Sequence, residues 1–193
     1  MAAMKRCIAE VYLEHSRSRP GAPAVRDSAE QWSYAQLWQA SGRVAALLEE
    51  RGAFEQAGAR VGAAAPRPIA VAAVRGCAWY ALCLAAWRRG MPVVALSDGD
   101  MPRQTEHDRA RMVAQQLRPA AIVSCSLCEA LPDAPEDCVA VDFADVAAAA
   151  AAGAASDGHS QTCSEEVAAP DIGPESVLCY VYTGGTTKHS RCV

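Results

Sequence analysis

Segments with helical periodicity alternate along the chain with short apolar runs rich in β-branched residues. The periodicity predicts helices over 4–18, 34–50, 68–89, 103–117 and, more briefly, 126–131. The apolar runs predict strands over 23–27, 31–34, 59–65, 91–97, 120–124, 138–143 and 177–182. Because strands and helices alternate, the pattern indicates βαβ units, and hence an α/β fold whose mainly parallel sheet is flanked by helices.

Capping residues indicate where some of these helices begin and end. Ser33 is suited to cap helix 34–50 at its N-terminus, since its hydroxyl can accept a bond from a free backbone N–H. Gly52 stands where a left-handed residue commonly ends a helix. Gly76 lies inside the apolar block 68–89 and could divide it into two pieces.

One segment, 145–176, departs from this alternation. An alanine run is followed by a stretch rich in glycine, serine and aspartate, with few large apolar side chains. Such a composition buries too little surface to offset the entropy of ordering, so residues 150–174 are predicted to be a flexible surface insertion. The alanine run itself could form a solvent-exposed helix of one or two turns.

Charge and cysteine usage exclude several classes of protein. The net charge of −4 and a pI near 5.6 provide neither a basic face for nucleic acid nor a polybasic membrane anchor. The first twenty residues contain no long apolar stretch, which argues against a secretory signal. An odd number of cysteines, nine, then suggests reduced thiols, and a cytoplasmic location is predicted.

The last predicted strand leads into the segment "YTGGTTKHSRCV" at 182–193. Its glycines let a backbone approach a ligand closely, its threonines supply hydroxyl donors, and its cations supply charge. This inventory suits a polyphosphate, although the spacing of a Walker A loop is absent and an ordinary glycine-containing turn is the alternative. The candidate ligand-binding residues are Thr183, Gly184, Gly185, Thr186, Thr187 and Arg191.

Four stretches resemble, in order, the landmarks of the adenylate-forming (AMP-binding) superfamily. The segment 182–193 is similar to the phosphate-loop signature Tyr-Thr-Ser-Gly-Thr-Thr-Gly-x-Pro-Lys-Gly-Val. The upstream stretches begin "PAVRDSAEQWSYAQL", "ARVGAAAPRPIAVAAV" and "RARMVAQQLRPAAIVS". The superfamily includes acyl-CoA synthetases, luciferases and the adenylation domains of nonribosomal peptide synthetases, and the last of these are the most similar.

This resemblance implies that the loop wraps the β- and γ-phosphates of ATP. Thr183, Gly185, Thr186 and Thr187 match the family signature, and Arg191 stands at the position of its lysine. The chain departs from the signature at four positions: Gly184 replaces serine, Lys188 replaces glycine, Ser190 replaces proline and Cys192 replaces glycine. No catalytic residue and no metal ligand is assigned from the sequence.

The implied reaction joins ATP and a carboxylate into an acyl- or aminoacyl-adenylate and pyrophosphate, with Mg²⁺ entering with ATP and a carrier domain as a possible partner. In this family the adenine pocket, the acyl pocket, the magnesium-binding acid, the hinge and the catalytic lysine all follow the phosphate loop. Residues 1–193 are therefore expected to form a partial AMP-binding domain, an incomplete N-terminal lobe that is inactive alone.

Two other interpretations of the function stay open. The chain could be a non-catalytic nucleotide-binding or interaction module. A zinc-binding module is also conceivable, because two pairs imitate a Cys₃His ligand set: Cys125 with Cys128, and His159 with Cys163. Four residues at helical spacing are expected in the core rather than at a cofactor: Trp79, Tyr80, Leu84 and Trp87.

Overall fold

This computed structural model describes residues 7–55, 66–97, 103–125, 135–155 and 176–181. The described residues contain five helices and seven strands. The helices are α1 (Ile8–Ser18), α2 (Tyr34–Glu50), α3 (Cys77–Arg88), α4 (Arg103–Leu117) and α5 (Phe143–Ala154). The strands are β1 (Pro23–Arg26), β2 (Gln31–Ser33), β3 (Ile69–Ala72), β4 (Val93–Ser97), β5 (Ala121–Ser124), β6 (Val139–Asp142) and β7 (Cys179–Tyr180). No helix in these ranges is both long and apolar enough to span a bilayer.

Five of the strands form one sheet in the order β6-β5-β3-β4-β7, and every pairing in it is parallel. The central strand β3 pairs with β4 through Ile69 and Val93, and with β5 through Ile69 and Ala121. The strands β1 and β2 form a separate antiparallel hairpin. The predicted α/β fold with a mainly parallel sheet flanked by helices is therefore confirmed.

Helices cover both faces of the sheet and create two hydrophobic clusters. The larger cluster lies under α2, α3 and α5, and its buried members include Leu37, Val44, Leu48, Leu82 and Val146. The smaller cluster packs beneath α4, where Val94, Leu96, Val113 and Ile122 are buried. Cover on both faces explains why every residue of β3 and β5 is buried.

The predicted limits of α2 are confirmed. The Ser33 hydroxyl accepts a bond from the Gln36 N–H at 3.3 Å, and the Gln36 side chain accepts one from the Ser33 N–H at 2.9 Å. This reciprocal pair is a capping box, which satisfies two of the backbone donors left free at a helix start. Gly52, just past the helix, has φ of 76° and is therefore in the left-handed region.

The predicted helix over 68–89 is wrong in its first part. Residues Ile69–Ala72 form the central strand β3, and the helix begins only at Cys77, with Gly76 as its N-cap. A strand buried on both faces has no polar alternation, so its periodicity cannot be told from that of a buried helix. The strand predicted at 59–65 and the helix predicted at 126–131 lie outside the described residues.

The alanine run is also different from its prediction. The helix α5 is about three turns long, and it packs on α2 instead of facing solvent throughout. Val146 and Ala150 are fully buried, and a Cβ on Gly153 would lie 2.6 Å from the Cα of Ala40. Residues 150–154 therefore belong to a packed helix, and 156–174 lie outside the described residues.

A buried arginine holds the amino ends of three strands together. The Arg67 side chain, 3% exposed, forms an ion pair with Asp137 at 2.6 Å just before β6. Its Nε and Nη2 atoms donate to the carbonyls of Arg118 and Pro119, just before β5, at 2.6 and 2.9 Å. Because Arg67 itself precedes β3, this network fixes the amino end of the sheet, opposite the end at which parallel α/β sheets bind their ligands.

Candidate functional site

The strand β7 runs toward the end of the parallel sheet where the carboxyl ends of its strands lie. Cys179 and Tyr180 lie opposite Val93 and Val94 of β4 in a parallel ladder. The Leu178 carbonyl, just before the strand, accepts bonds from the Val93 N–H at 3.0 Å and from the Trp87 indole N–H at 2.9 Å. The chain therefore runs parallel to β4, toward the carboxyl end of that strand.

The six candidate ligand-binding residues come directly after this strand in the sequence. All of them, Thr183, Gly184, Gly185, Thr186, Thr187 and Arg191, lie outside the described residues, which end at position 181. Their role in binding phosphate stays a prediction. The structure describes the strand that leads to them and the neighbouring strand ends.

The connections that leave β3 and β5 run in opposite directions across the sheet. The chain goes from β3 to β4 on one side and from β5 to β6 on the other. In open parallel sheets, ligands bind at such a switch point, beyond the carboxyl ends of the strands. The N-terminus of α3 follows the carboxyl end of β3, and Cys125 follows the carboxyl end of β5.

The surroundings of Cys125 disfavour a thiolate. Partial desolvation and the neighbouring Asp142 carboxylate both raise the pKa of its thiol above the ordinary value. The other members of the imitated zinc set, Cys128, His159 and Cys163, lie outside the described residues. Within the described ranges, no three or more His, Cys, Asp or Glu side chains form a cluster that could hold a metal ion.

A carboxylate of the chain itself fills the N-terminus of α3. Asp27, in the turn between β1 and β2, accepts a bond from the Cys77 N–H at 2.8 Å and bonds from the Ala29 and Glu30 N–H groups, each at 2.8 Å. These bonds, with that from Cys77 the strongest, lower the pKa of Asp27 to about 2. A helix N-terminus is a natural anion site. Here it is already occupied.

The Cys77 thiol lies at the same helix N-terminus, next to the Asp27 carboxylate. A helix N-terminus usually favours a thiolate. Burial and the adjacent Asp27 carboxylate outweigh that effect and raise the pKa of the Cys77 thiol to about 11. The thiol is therefore protonated near neutral pH and is not a nucleophile.

A cleft of about 270 Å³ lies between the β1–β2 turn, the start of α3 and α5. Its polar lining is largely engaged within the protein, because Asp27 binds backbone amides and the Glu30 carboxylate accepts from the Trp32 indole at 2.6 Å. Sequence reasoning missed Asp27 and the hydrogen bond of Trp87. An aspartate in a tight hairpin turn was the available local signal for Asp27, and nothing local pointed to Trp87.

The family model for AMP-binding enzymes matches residues 13–189. The chain belongs to this family. The match covers all the described strands and reaches into the segment 182–193 as far as position 189, so the expected membership is confirmed. Among curated protein sequences, none gives a significant match.

Solved structures of similar fold are longer than this chain. VinN in complex with 3-methylaspartate is 22% identical with a TM-score of 0.67, over 98% of this chain and 47% of VinN. The N-terminal subdomain of NpsA from Klebsiella oxytoca is 14% identical with a TM-score of 0.68, over 99% of this chain and 42% of that subdomain. The nonribosomal peptide synthetase FmoA3, in an AMPPNP-bound form, is 17% identical with a TM-score of 0.59, over 95% of this chain and 17% of FmoA3.

At these identities the likeness shows the fold. The chain spans less than half the length of each of these three structures. Its five-stranded parallel sheet with flanking helices is thus a part of the fold seen in the NpsA N-terminal subdomain.

Proposed function

We propose that the chain is a part of a ligase that uses ATP to activate a carboxylate as an acyl- or aminoacyl-adenylate. The observation that carries the proposal is the parallel pairing of β7 with β4, which directs the chain to the carboxyl edge of the sheet just before the glycine–threonine segment. Ligands of parallel α/β sheets bind at that edge. Membership of the AMP-binding family supports ATP as the ligand.

In the proposed reaction, a carboxylate oxygen attacks the α-phosphorus of ATP, and the bond from that phosphorus to the bridging oxygen of the β-phosphate breaks. Pyrophosphate leaves with the electron pair of this bond. The backbone amides of Gly184 and Gly185 and the hydroxyls of Thr186 and Thr187 would donate to the β- and γ-phosphates. Arg191 would supply positive charge to the same leaving group. Mg²⁺ would enter with the nucleotide and neutralise part of the phosphate charge.

The similarity to FmoA3 supports a role in a carrier-dependent pathway, with an amino acid or a related carboxylate as the substrate. In that case a carrier domain would accept the acyl group from the adenylate. The part of the enzyme that recognises the carboxylate would lie in sequence that the match to these larger proteins leaves uncovered.

Titration of the 193-residue chain with MgATP tests the nucleotide part of the proposal. We expect the Thr186→Ala, Thr187→Ala double variant to bind at least tenfold more weakly than the wild type, because even one hydroxyl bond to a charged group contributes about 1.5–3 kcal/mol. Isothermal titration calorimetry measures the dissociation constants.

Thr162→Ala is the matched control, since it removes the same hydroxyl and methyl outside the loop. Its affinity for MgATP should equal that of the wild type. A wild type that binds no MgATP, or a double variant that binds equally well, would refute the assignment of the loop.

A further inference from the structure

Very little buried surface holds β7 in place. The strand is two residues long, Cys179 is exposed, and the flanking Val177 and Val181 are 37% and 58% exposed. Within the described residues its one neighbour in the sheet is β4. Hydrogen bonds must therefore fix much of the register of β7, because few apolar contacts are available to do so.

Trp87 provides one of these bonds from a rigid position. Its ring packs against the larger hydrophobic cluster, and its indole N–H donates to the Leu178 carbonyl at 2.9 Å. Trp87 lies at the end of α3, where the Gly90 N–H binds the Trp87 carbonyl and the Met91 N–H binds the Ala86 carbonyl, each at 3.0 Å. These bonds tie the helix end to the segment that begins β4.

The register of β7 decides which way its side chains point. Successive residues of a strand face opposite sides of the sheet, so a slip of one residue exchanges the two faces. In the observed register, Tyr180 packs against the smaller cluster beneath α4, and Cys179 is exposed. A slip would also shift the point at which the chain leaves the sheet by one residue, about 3.3 Å.

We propose that Trp87 is a positioning residue for the loop that follows β7. Its indole N–H holds Leu178 opposite the start of β4, and so fixes the register of β7, the strand that leads into residues 182–193. The part of this inference that concerns nucleotide rests on the proposed function. The part that concerns the strand stands on the hydrogen bond alone.

The chain offers a matched pair of variants that separates the hydrogen bond from aromatic packing. Trp87→Phe keeps an aromatic ring and removes the N–H. Trp79→Phe makes the same chemical change on the same helix, where the Trp79 Nε1 atom is buried and has no hydrogen-bond partner in the described part of the chain. Loss of ring volume is common to both variants, and loss of a bond to β7 occurs in one.

Hydrogen–deuterium exchange of the full 193-residue chain, followed by mass spectrometry, tests the effect on the strand. We expect amides in 177–181 to exchange about fivefold faster in Trp87→Phe, as befits the loss of one ordinary hydrogen bond. Amides of β3 and β5 should be unchanged, and Trp79→Phe should match the wild type throughout. Unchanged exchange in 177–181 of Trp87→Phe, or equal acceleration in both variants, would overturn the inference.

Should Trp87→Phe fail to fold, the wild type still provides a test by NMR. The Trp87 indole proton should be protected from exchange with D₂O, and it should lose protection at the same rate as the amides of β7. An indole proton that exchanges much faster than these amides would show that the bond does not hold the strand.

Titration with MgATP tests the connection to the nucleotide. Trp87→Phe should bind MgATP several-fold more weakly than Trp79→Phe, at equal melting temperature. Equal affinity of the two variants for MgATP would overturn the positioning role. A wild type that fails to bind MgATP would refute the proposed function, and hydrogen exchange would still decide whether Trp87 sets the register of β7.

Discussion

Asp27 links two parts of the chain that are fifty residues apart in sequence. Its carboxylate closes the β1–β2 turn through the Ala29 and Glu30 amides and caps α3 through the Cys77 amide. A Cβ on Gly76 would lie 2.8 Å from the Asp27 Oδ2 atom, so glycine at this N-cap allows the carboxylate to approach. One charged group thereby orients the hairpin against the helix and keeps external anions from that helix end.

This arrangement predicts a specific loss of stability in acid. Because folding lowers the pKa of Asp27 from 3.8 to about 2, its contribution to stability is present above pH 3.8 and is lost as the pH falls through about 2. Asp27→Asn should therefore be less stable than the wild type at about pH 5, and the difference should disappear near pH 2. Urea denaturation at a series of pH values measures it.

Asp145→Asn serves as the control for this experiment. Asp145 pairs with Arg51 at 2.9 Å on an exposed surface, where ion pairs contribute little. Its urea midpoint should stay close to that of the wild type. A constant difference between Asp27→Asn and the wild type from about pH 5 to pH 2 would show that the charge of Asp27 is not what stabilises the fold.

Local signals were enough to predict some residue roles and not others. The Ser33 cap and the left-handed Gly52 depend on neighbours within a few residues, so the sequence predicts them correctly. The bonds from Cys77 to Asp27 and from Trp87 to Leu178 join residues 50 and 91 positions apart. No periodicity reports such pairings. The residues of the candidate phosphate loop come from motif resemblance and remain predictions.

At the scale of elements, errors arose where side chains were uniform. The strand β3 has the sequence IAVA and is buried at all four positions, so it shows neither polar alternation nor a helical stripe. The helix α5 has small side chains, and its packing energy comes from close approach of two backbones rather than from large apolar groups. Composition alone therefore underestimated its burial. The polar helix α4, with its clear charged face, was predicted with its observed limits.

The contact between α5 and α2 predicts an unusual response to alanine. Alanine is better than glycine inside a helix by about 1 kcal/mol. At Gly153, however, a Cβ would lie 2.6 Å from the Ala40 Cα, and overpacking costs about 1–3 kcal/mol. We expect Gly153→Ala to lower the free energy of unfolding by about 1 kcal/mol, as measured by chemical denaturation.

Gly42→Ala in α2 is the matched control. Its nearest neighbour would be the end of the Arg88 side chain at 3.3 Å, which can shift more easily than a helix backbone. The free energy of unfolding should stay the same or rise in this variant. A stabilising Gly153→Ala substitution would mean that the two helices separate at little cost.

For the whole molecule, alternation of strands and helices predicted the parallel sheet, and the order of family landmarks predicted membership of the AMP-binding family. The order of strands in the sheet could not be read from the sequence, because parallel connections do not reveal on which side each strand is added. The chain crosses from β6 at one edge to β7 at the other, a step that reflects tertiary packing of the whole sheet.

The proportion of the fold present predicts the catalytic behaviour of the chain. Adenylate formation depends on orienting two substrates and on stabilising charge in a closed site. A chain that spans 47% of VinN and 42% of the NpsA N-terminal subdomain is expected to provide part of such a site. We therefore expect no carboxylate-dependent exchange between pyrophosphate and ATP by the 193 residues alone. Exchange of labelled pyrophosphate into ATP with any amino acid or fatty acid would contradict this prediction.

The fluorescence of Trp87 can also report on the state of the strand β7. The chain has four tryptophans, and Trp87 donates to a backbone carbonyl directly before β7. Indole emission depends on the polarity and hydrogen bonding around the ring. With phenylalanine in place of Trp32, Trp38 and Trp79, the remaining fluorescence would report on this strand without any attached dye.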